Sequence, residues 1–160
     1  MYRIGQSIDI HQLVPDRKLI LGGVEIPFEK GLLGHSDADV LVHAIIESVI
    51  GALGLGDIGT HFSDSDPQYA GIDSLVLLEK TYVMMKERGY VINNLDAIVL
   101  AEKPKLAVYI PTMRENISRV LCCNIEDVNI KATRGEKLGW IGEGLGMQAQ
   151  AVVLLRKEGK

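Results

Sequence analysis

Hydrophobic and polar positions alternate strictly at the start of the chain. Tyr2, Ile4, Ile8 and Ile10 share one side of an extended segment, and Arg3, Gly5, Ser7, Asp9 and His11 share the other. That period of two predicts a strand over 2–11 with its apolar side buried. Lys18–Leu21 and Val24–Phe28 flank Gly22-Gly23, a two-residue hairpin signal. The period then changes. Val40, Leu41, Ala44, Ile45, Val49 and Leu53 have helical spacing, and Gly54 and Gly56 end the run. Ser36 with Asp39 three residues on resembles a capping box, which sets the helix start near Asp37. Residues 57–66 read as a polar loop, and Asp66-Pro67 as an N-cap followed by proline at the first helical position. A helix over Ser74–Arg88 carries Leu75, Leu78, Tyr82 and Met85 on one face and stops at Gly89. A strand over 91–101, a connection opened by Pro104, a helix over 110–121 and a strand over Val128–Thr133 follow. A glycine-rich loop over 134–146 leads to a last strand, Met147–Leu155. That strand is apolar on both faces, which places it centrally in a sheet or under an interface. Strands alternating with helices give an α/β class with a mixed sheet.

Composition narrows the function. The 160 residues contain no repeat, low-complexity stretch or linker and are expected to form a single domain over 1–160. Seventeen Lys+Arg against 21 Asp+Glu leave a formal charge of −4, which argues against a general nucleic-acid binder. No apolar run reaches membrane-spanning length, so neither a transmembrane helix nor a membrane partner is expected. MYRIGQSIDIHQL lacks the basic, apolar and small-residue order of a secretory signal. The two cysteines, Cys122 and Cys123, are adjacent and read as a structural pair near a helix end. They make a poor disulfide, and a reducing, cytoplasmic location is expected.

Several segments carry candidate chemistry. Asp9 and His11, at i and i+2 on a strand, project from one face. They are either two polar residues on a wet face or two ligands presented to one ion. His43 lies in the first helix with Asp39 and Glu47 four residues to either side. It is either satisfied by those carboxylates or a third ligand, held by one of them through its second ring nitrogen. One Asp and two His would leave a fourth tetrahedral position open, as in catalytic rather than structural zinc sites. His35-Ser36 before the helix either caps it or binds an anion. The acidic segment Asp57-Ile58-Gly59 and Phe62–Asp66 either is solvated or holds sugar hydroxyls or a cation. Lys105 and Thr133-Arg134-Gly135-Glu136 follow strand ends, where ligands of α/β folds gather. Thr133 and Arg134 can donate to phosphate, and Glu136 is a hard oxygen ligand for Mg²⁺ or Mn²⁺. For each, a surface turn is the competing reading.

Taken in order, the segments G-Q-S-I-D-I-H-Q-L, G-H-S-D-A-D-V-L-V-H-A, L-G-D-I-G-T-H-F-S-D-S-D-P, A-E-K-P-K-L, I-P-T-M-R and K-A-T-R-G-E-K-L-G-W make a specific set. Across essentially its whole length the sequence resembles the 2-C-methyl-D-erythritol 2,4-cyclodiphosphate synthase family of non-mevalonate isoprenoid biosynthesis. The resemblance implies a layered α+β-like form of the α/β class, with helices on one side of the sheet. It implies a homotrimer with active sites between subunits. It implies Zn²⁺ on Asp9, His11 and His43, and a second ion, Mg²⁺ or Mn²⁺, held at the diphosphate by Glu136. The cytidine end of a cytidine diphosphate substrate would meet Ala101, Lys105, Leu106, Ala107, Ala132 and Thr133. The methylerythritol phosphate end would meet His35, Ser36, Asp57, Ile58, Gly59, Phe62, Asp64 and Asp66. Trp140 and Glu136, with Asp9 and His11, complete the implied substrate contacts. His35, Thr133 and Arg134 are the implied catalytic residues of an intramolecular phosphoryl transfer that releases CMP.

Three departures from the family pattern matter. Thr-Thr-Thr-Glu is Thr133-Arg134-Gly135-Glu136 here, so Arg134 stands where the family has a threonine credited with steadying the transition state, and Gly135 removes a threonine hydroxyl and loosens the loop. The Arg of Gly-Phe-x-Gly-Arg is Glu143 here, a charge expected to repel a lipid diphosphate from the threefold cavity. Two other functions compete: a zinc phosphohydrolase on the same triad, told apart by release of inorganic phosphate, and a nucleotide-sensing module, told apart by the absence of turnover.

Overall fold

The computed structural model describes residues 1–159. The chain runs β1 (Tyr2–Pro15), β2 (Leu19–Leu21), β3 (Val24–Ile26), β4 (Lys30–Leu32), α1 (Val40–Leu53), α2 (Ile58–His61), α3 (Ser74–Glu87), β5 (Tyr90–Leu100), α4 (Ile110–Val120), β6 (Val128–Thr133), α5 (Gly139–Gly142) and β7 (Gly146–Lys157). Five strands form one sheet in the order β4-β1-β7-β5-β6. The β1–β4, β1–β7 and β5–β7 pairs are antiparallel and β5–β6 is parallel, so the sheet is mixed. β2 and β3 form a separate hairpin. Its turn residues Gly22 and Gly23 have φ of 58° and 71°, the double positive φ that a type I′ turn requires. As its two-faced apolar pattern predicts, β7 is central.

The sheet's buried side is made by alternate residues of three strands: Gly5 and Ser7 of β1, Ala97 and Val99 of β5, and Ala149, Ala151, Val153 and Leu155 of β7. Against it lies α1, apolar nearly all the way round, with α3 packed over it. The small residues on the sheet side have a geometric consequence. A Cβ added to Gly5 would stand 1.9 Å from the Ser48 carbonyl oxygen and 2.7 Å from the Ala52 nitrogen. Only a residue without a side chain lets the α1 backbone settle this close to β1.

The structure corrects three expectations. The apolar side of β1 is not the buried one: Tyr2, Ile4, Ile8 and Ile10 are 53–71% exposed, while Gly5 and Ser7 face the helices. Alternation fixes which residues share a face, and α1 covers the face of small residues because only that face permits its approach. The first helix begins at Val40, not near Asp37. Its N-cap is Asp39, fully buried, whose carboxylate accepts from the backbone N–H groups of Val42, Gly22 and Gly23. Burial and the Asp37 charge push Asp39 up to about 6 despite those donors. The segments 57–66 and 134–146 are not bare loops, since each carries a four-residue helix, α2 and α5.

Replacing Gly5 with alanine is expected to destabilise the protein by about 2–3 kcal/mol, the cost of overpacking against a backbone that cannot yield. A chemical-denaturation midpoint within error of the parent's would contradict this packing account.

Candidate active site

β1 and α1 bring Asp9, His11 and His43 to one point. Asp9 Oδ2 lies 2.9 Å from His11 Nε2 and 3.2 Å from His43 Nδ1, and the two ring nitrogens are 3.3 Å apart. Ligands about 2.0–2.1 Å from a tetrahedral cation stand roughly 3.3 Å from one another, so the three atoms have the spacing of a tetrahedral set. They are the one group of three or more His, Cys, Asp or Glu side chains among the described residues that is arranged to hold a metal ion.

Hydrogen placement supports the same use. His11 Nδ1 is 2.6 Å from the Leu33 carbonyl oxygen. A carbonyl only accepts, so Nδ1 carries the hydrogen and Nε2 turns its lone pair to Asp9 and His43. Gly34 makes room for this ring, since a Cβ there would lie 3.0 Å from His11 Cε1. Asp9 Oδ2 is buried and accepts no aligned hydrogen bond. Burial alone would raise the Asp9 carboxyl, yet the two imidazoles outweigh it and hold it well below the ordinary carboxylate range. Burial pulls His11 down, and the Asp9 carboxylate, outweighing it, raises the ring above its ordinary value. The cluster therefore draws positive charge, and the residues present fit a divalent cation.

The cluster opens into a cavity of about 320 Å³ lined by Asp9, His11, His35, Ser36, His43, Ile58, Gly59, Phe62 and Asp64, with Glu47 beside them. Of the residues assigned to the methylerythritol phosphate end, this gathers all but Asp57 and Asp66. Asp57 is spent as the N-cap of α2, accepting from Thr60 N and Oγ1. Asp66 caps the 3₁₀ turn at Pro67–Tyr69, and its carbonyl accepts from His35 Nε2 at 3.0 Å. A second cavity, about 190 Å³, is lined by Ala101, Lys105, Leu106, Ala107, Ala132, Thr133 and Arg134 beyond the C-terminal ends of β5 and β6. The two cavities share no residue. Glu136, exposed with φ of 53°, and Trp140, beside Gly146, line neither.

Comparison with known proteins gives the family. A family model described as "YgbB family" matches residues 2–156. The chain belongs to the YgbB family. Among its relatives in that family, the 2-C-methyl-D-erythritol 2,4-cyclodiphosphate synthase of Pelobacter propionicus is 57% identical over 98% of this chain and 99% of its own length. Among solved structures, the bifunctional IspDF of Campylobacter jejuni superposes with a TM-score of 0.94 at 38% identity, covering 98% of this chain. This chain spans 42% of that longer protein. Plasmodium falciparum IspF in a CDP complex gives a TM-score of 0.87 at 35% identity, over 99% of this chain and 97% of that one.

Within this YgbB-family chain, sequence reasoning misplaced the partner of His43. Neither the Asp39 nor the Glu47 carboxylate hydrogen-bonds the ring. Its Nε2 instead faces Ser74 Oγ at 2.9 Å and Ser36 Oγ at 3.1 Å. Ser74 is 31 residues further along, and no local spacing signals it. Glu47 is spent on the Ser7 hydroxyl and the Ile58 N–H. Glu102 was also missed: its Oε2 accepts from Gly135 N at 3.0 Å and ties together the two segments around the second cavity. Cys122 and Cys123 are free thiols. Cys123 is pushed up to about 11, chiefly by burial.

Asp9→Asn removes the anionic ligand at nearly constant volume. Purified protein of this variant is expected to retain less than about a tenth of the parent's bound metal, with an unchanged far-ultraviolet circular dichroism spectrum. Parent-like metal content by elemental analysis would count against the cluster as a metal site.

Proposed function

We propose that this protein converts 4-diphosphocytidyl-2-C-methyl-D-erythritol 2-phosphate to 2-C-methyl-D-erythritol 2,4-cyclodiphosphate and CMP, as a phosphorus–oxygen lyase. The observation that carries the reading is the convergence of Asp9, His11 and His43 on one point at the wall of a cavity that also holds His35 and Ser36. The names of the relatives and the CDP bound to a structural neighbour support it.

In the proposed reaction a 2-phosphate oxygen bonds to the β-phosphorus. The bond from that phosphorus to the bridging oxygen breaks, and CMP departs with its electron pair. The nucleophile is already an anion, so no general base is needed, and catalysis is positioning plus charge neutralisation. Zn²⁺ on Asp9, His11 and His43, with Mg²⁺ or Mn²⁺ held through Glu136, would supply Lewis-acid charge neutralisation of the phosphates when bound. Ser36 offers a hydroxyl. His35, oriented by its Nε2 contact with the Asp66 carbonyl oxygen at 3.0 Å, would face the phosphates from the cavity wall. Thr133, Arg134 and Lys105 meet the diphosphate, and Ala101, Leu106, Ala107 and Ala132 wall the cytidine. Trp140 closes the substrate region, and Glu143, exposed after α5, keeps lipid diphosphates away. Free thiols suit a cytoplasmic enzyme of one domain.

The same reading includes a homotrimer. Ile4, Ile8 and Ile10 of β1 stand exposed on the sheet face opposite the helices, and an apolar face of this extent suits burial against other copies. The metal cluster of one subunit would then meet the nucleotide cavity of its neighbour, consistent with two cavities that share no residue.

Phosphorus-31 NMR of the reaction is expected to show CMP and the cyclodiphosphate and no inorganic phosphate. Inorganic phosphate would mean hydrolysis instead. Exhaustive chelation, verified by elemental analysis, should remove nearly all turnover, and undiminished turnover would refute the metal's part. Co-produced His43→Ala and Lys105→Glu chains should recover about a quarter of parental activity, because half the sites have an intact metal side and half of those an intact neighbour. No recovery in mixed assemblies would place both halves in one chain.

A further inference from the structure

His43 is steered by groups outside its own helix. Ser74, the fully buried first residue of α3, places Oγ 2.9 Å from His43 Nε2. The same hydroxyl makes a close hydrogen bond to Asp37 Oδ1, and the Ser74 backbone N–H donates to Asp37 Oδ2 at 3.0 Å. A hydroxyl has one hydrogen, and a carboxylate only accepts. The Ser74 hydrogen therefore lies toward Asp37, and Ser74 Oγ meets His43 with lone pairs. The ring hydrogen must then sit on Nε2, which leaves the Nδ1 lone pair aimed at Asp9 and His11. Ser36 Oγ, at 3.1 Å from Nε2, already accepts from Ala38 N–H and is compatible with the same tautomer.

We propose that Asp37 and Ser74 are positioning residues that set the tautomer of His43, so that its Nδ1 is an acceptor ready for a cation. The proposal rests on reading Asp9, His11 and His43 as a metal centre. The relay is directional, because each partner's hydrogen points away from the centre and ends on a carboxylate. Reversing its far end should reverse the whole line. In Asp37→Asn the amide oxygen keeps the Ser74 backbone N–H, and the amide NH₂ then faces Ser74 Oγ, at the loss of the 3.2 Å bond that Asp39 N–H makes to Oδ1. The Ser74 hydrogen turns to His43 Nε2, and the ring hydrogen moves to Nδ1, where it bonds the otherwise orphaned Asp9 Oδ2 and blocks the ligand position.

The tautomer separates this from a purely structural role. As packing changes the two are alike: in Ser74→Ala the Asp37 carboxylate keeps the Ser74 and Asp39 backbone N–H groups and loses only the hydroxyl donor, and Asp37→Asn is nearly isosteric and loses the Asp39 bond. As relay changes, they differ. Ser74→Ala leaves the tautomer unset and should cost about tenfold in Zn²⁺ affinity. Asp37→Asn sets the wrong tautomer and should cost about a hundredfold, the upper end for a ligand's supporting partner. Affinity is read by chelator competition. The tautomer is read by long-range ¹H–¹⁵N spectra of metal-free, histidine-labelled protein at pH 8. The parent is expected to show His43 protonated at Nε2, Asp37→Asn at Nδ1, and Ser74→Ala a mixture. Parent protein protonated at Nδ1, or both variants within about threefold of the parent's affinity, overturns the relay while leaving the metal centre standing. Parent protein that holds no more zinc than Asp9→Asn overturns the metal centre and the relay with it. Should Asp37→Asn fail to fold, the Ser74→Ala arm decides alone: an unmixed Nε2–H tautomer with parental affinity overturns the proposal.

Discussion

Three acceptor atoms stand 2.9–3.3 Å apart, and the two ring nitrogens keep their hydrogens on their far sides. Desolvated lone pairs facing one another are costly unless a positive charge sits among them. The Leu33 carbonyl takes the hydrogen of His11, the Ser74 hydroxyl takes that of His43, and Asp9 Oδ2 is left without an aligned donor. A proton relieves the cluster poorly, since it pairs two of the three atoms at a time. A divalent cation satisfies all of them together.

That arrangement depends on backbone approach far more than on side-chain reach. His43 rides on a helix whose other side chains are almost all core, so its position over the sheet is that of the helix itself. Gly5 and Ser7 set the height of the helix above β1, and Gly34 sets how closely the chain can pass His11. A ligand set carried on a packed helix and a paired strand is held to tighter tolerances than one carried on loops. The loops supply the adaptable part, with His35, Ser36 and Asp64 around the cavity mouth.

β1 does two jobs because a strand has two faces. Its inward side carries Asp9 and His11, and its outward side carries Ile4, Ile8 and Ile10. A homotrimer built on the outward side would join assembly and chemistry through one segment. Disturbance of the apolar face would then reach the metal cluster through a backbone of a few ångströms' thickness. The second cavity, at the ends of β5 and β6 where Glu102 is tied to Gly135, would be brought to the cluster of another subunit by the same association.

Much of the fold was legible in the residues themselves. Period two marked β1, period 3.6 marked α1 and α3, and the glycine pair with positive φ marked the hairpin turn. Each is a property of neighbours along the chain. The pairing of Asp9 with His11 was equally local, and their joining with His43 followed from the family resemblance. Which face of β1 is covered was not local. Alternation is symmetric between faces, and the choice fell to the fit of α1 against Gly5, a contact between residues more than 40 positions apart. The partner of His43 was not local either, since helical neighbours Asp39 and Glu47 were already engaged by backbone donors and Ser7. Sequence determines which groups are present and which side they share. The direction of each hydrogen, and so which nitrogen is free for a metal, was decided only when distant segments packed and each polar group had to find a partner away from water.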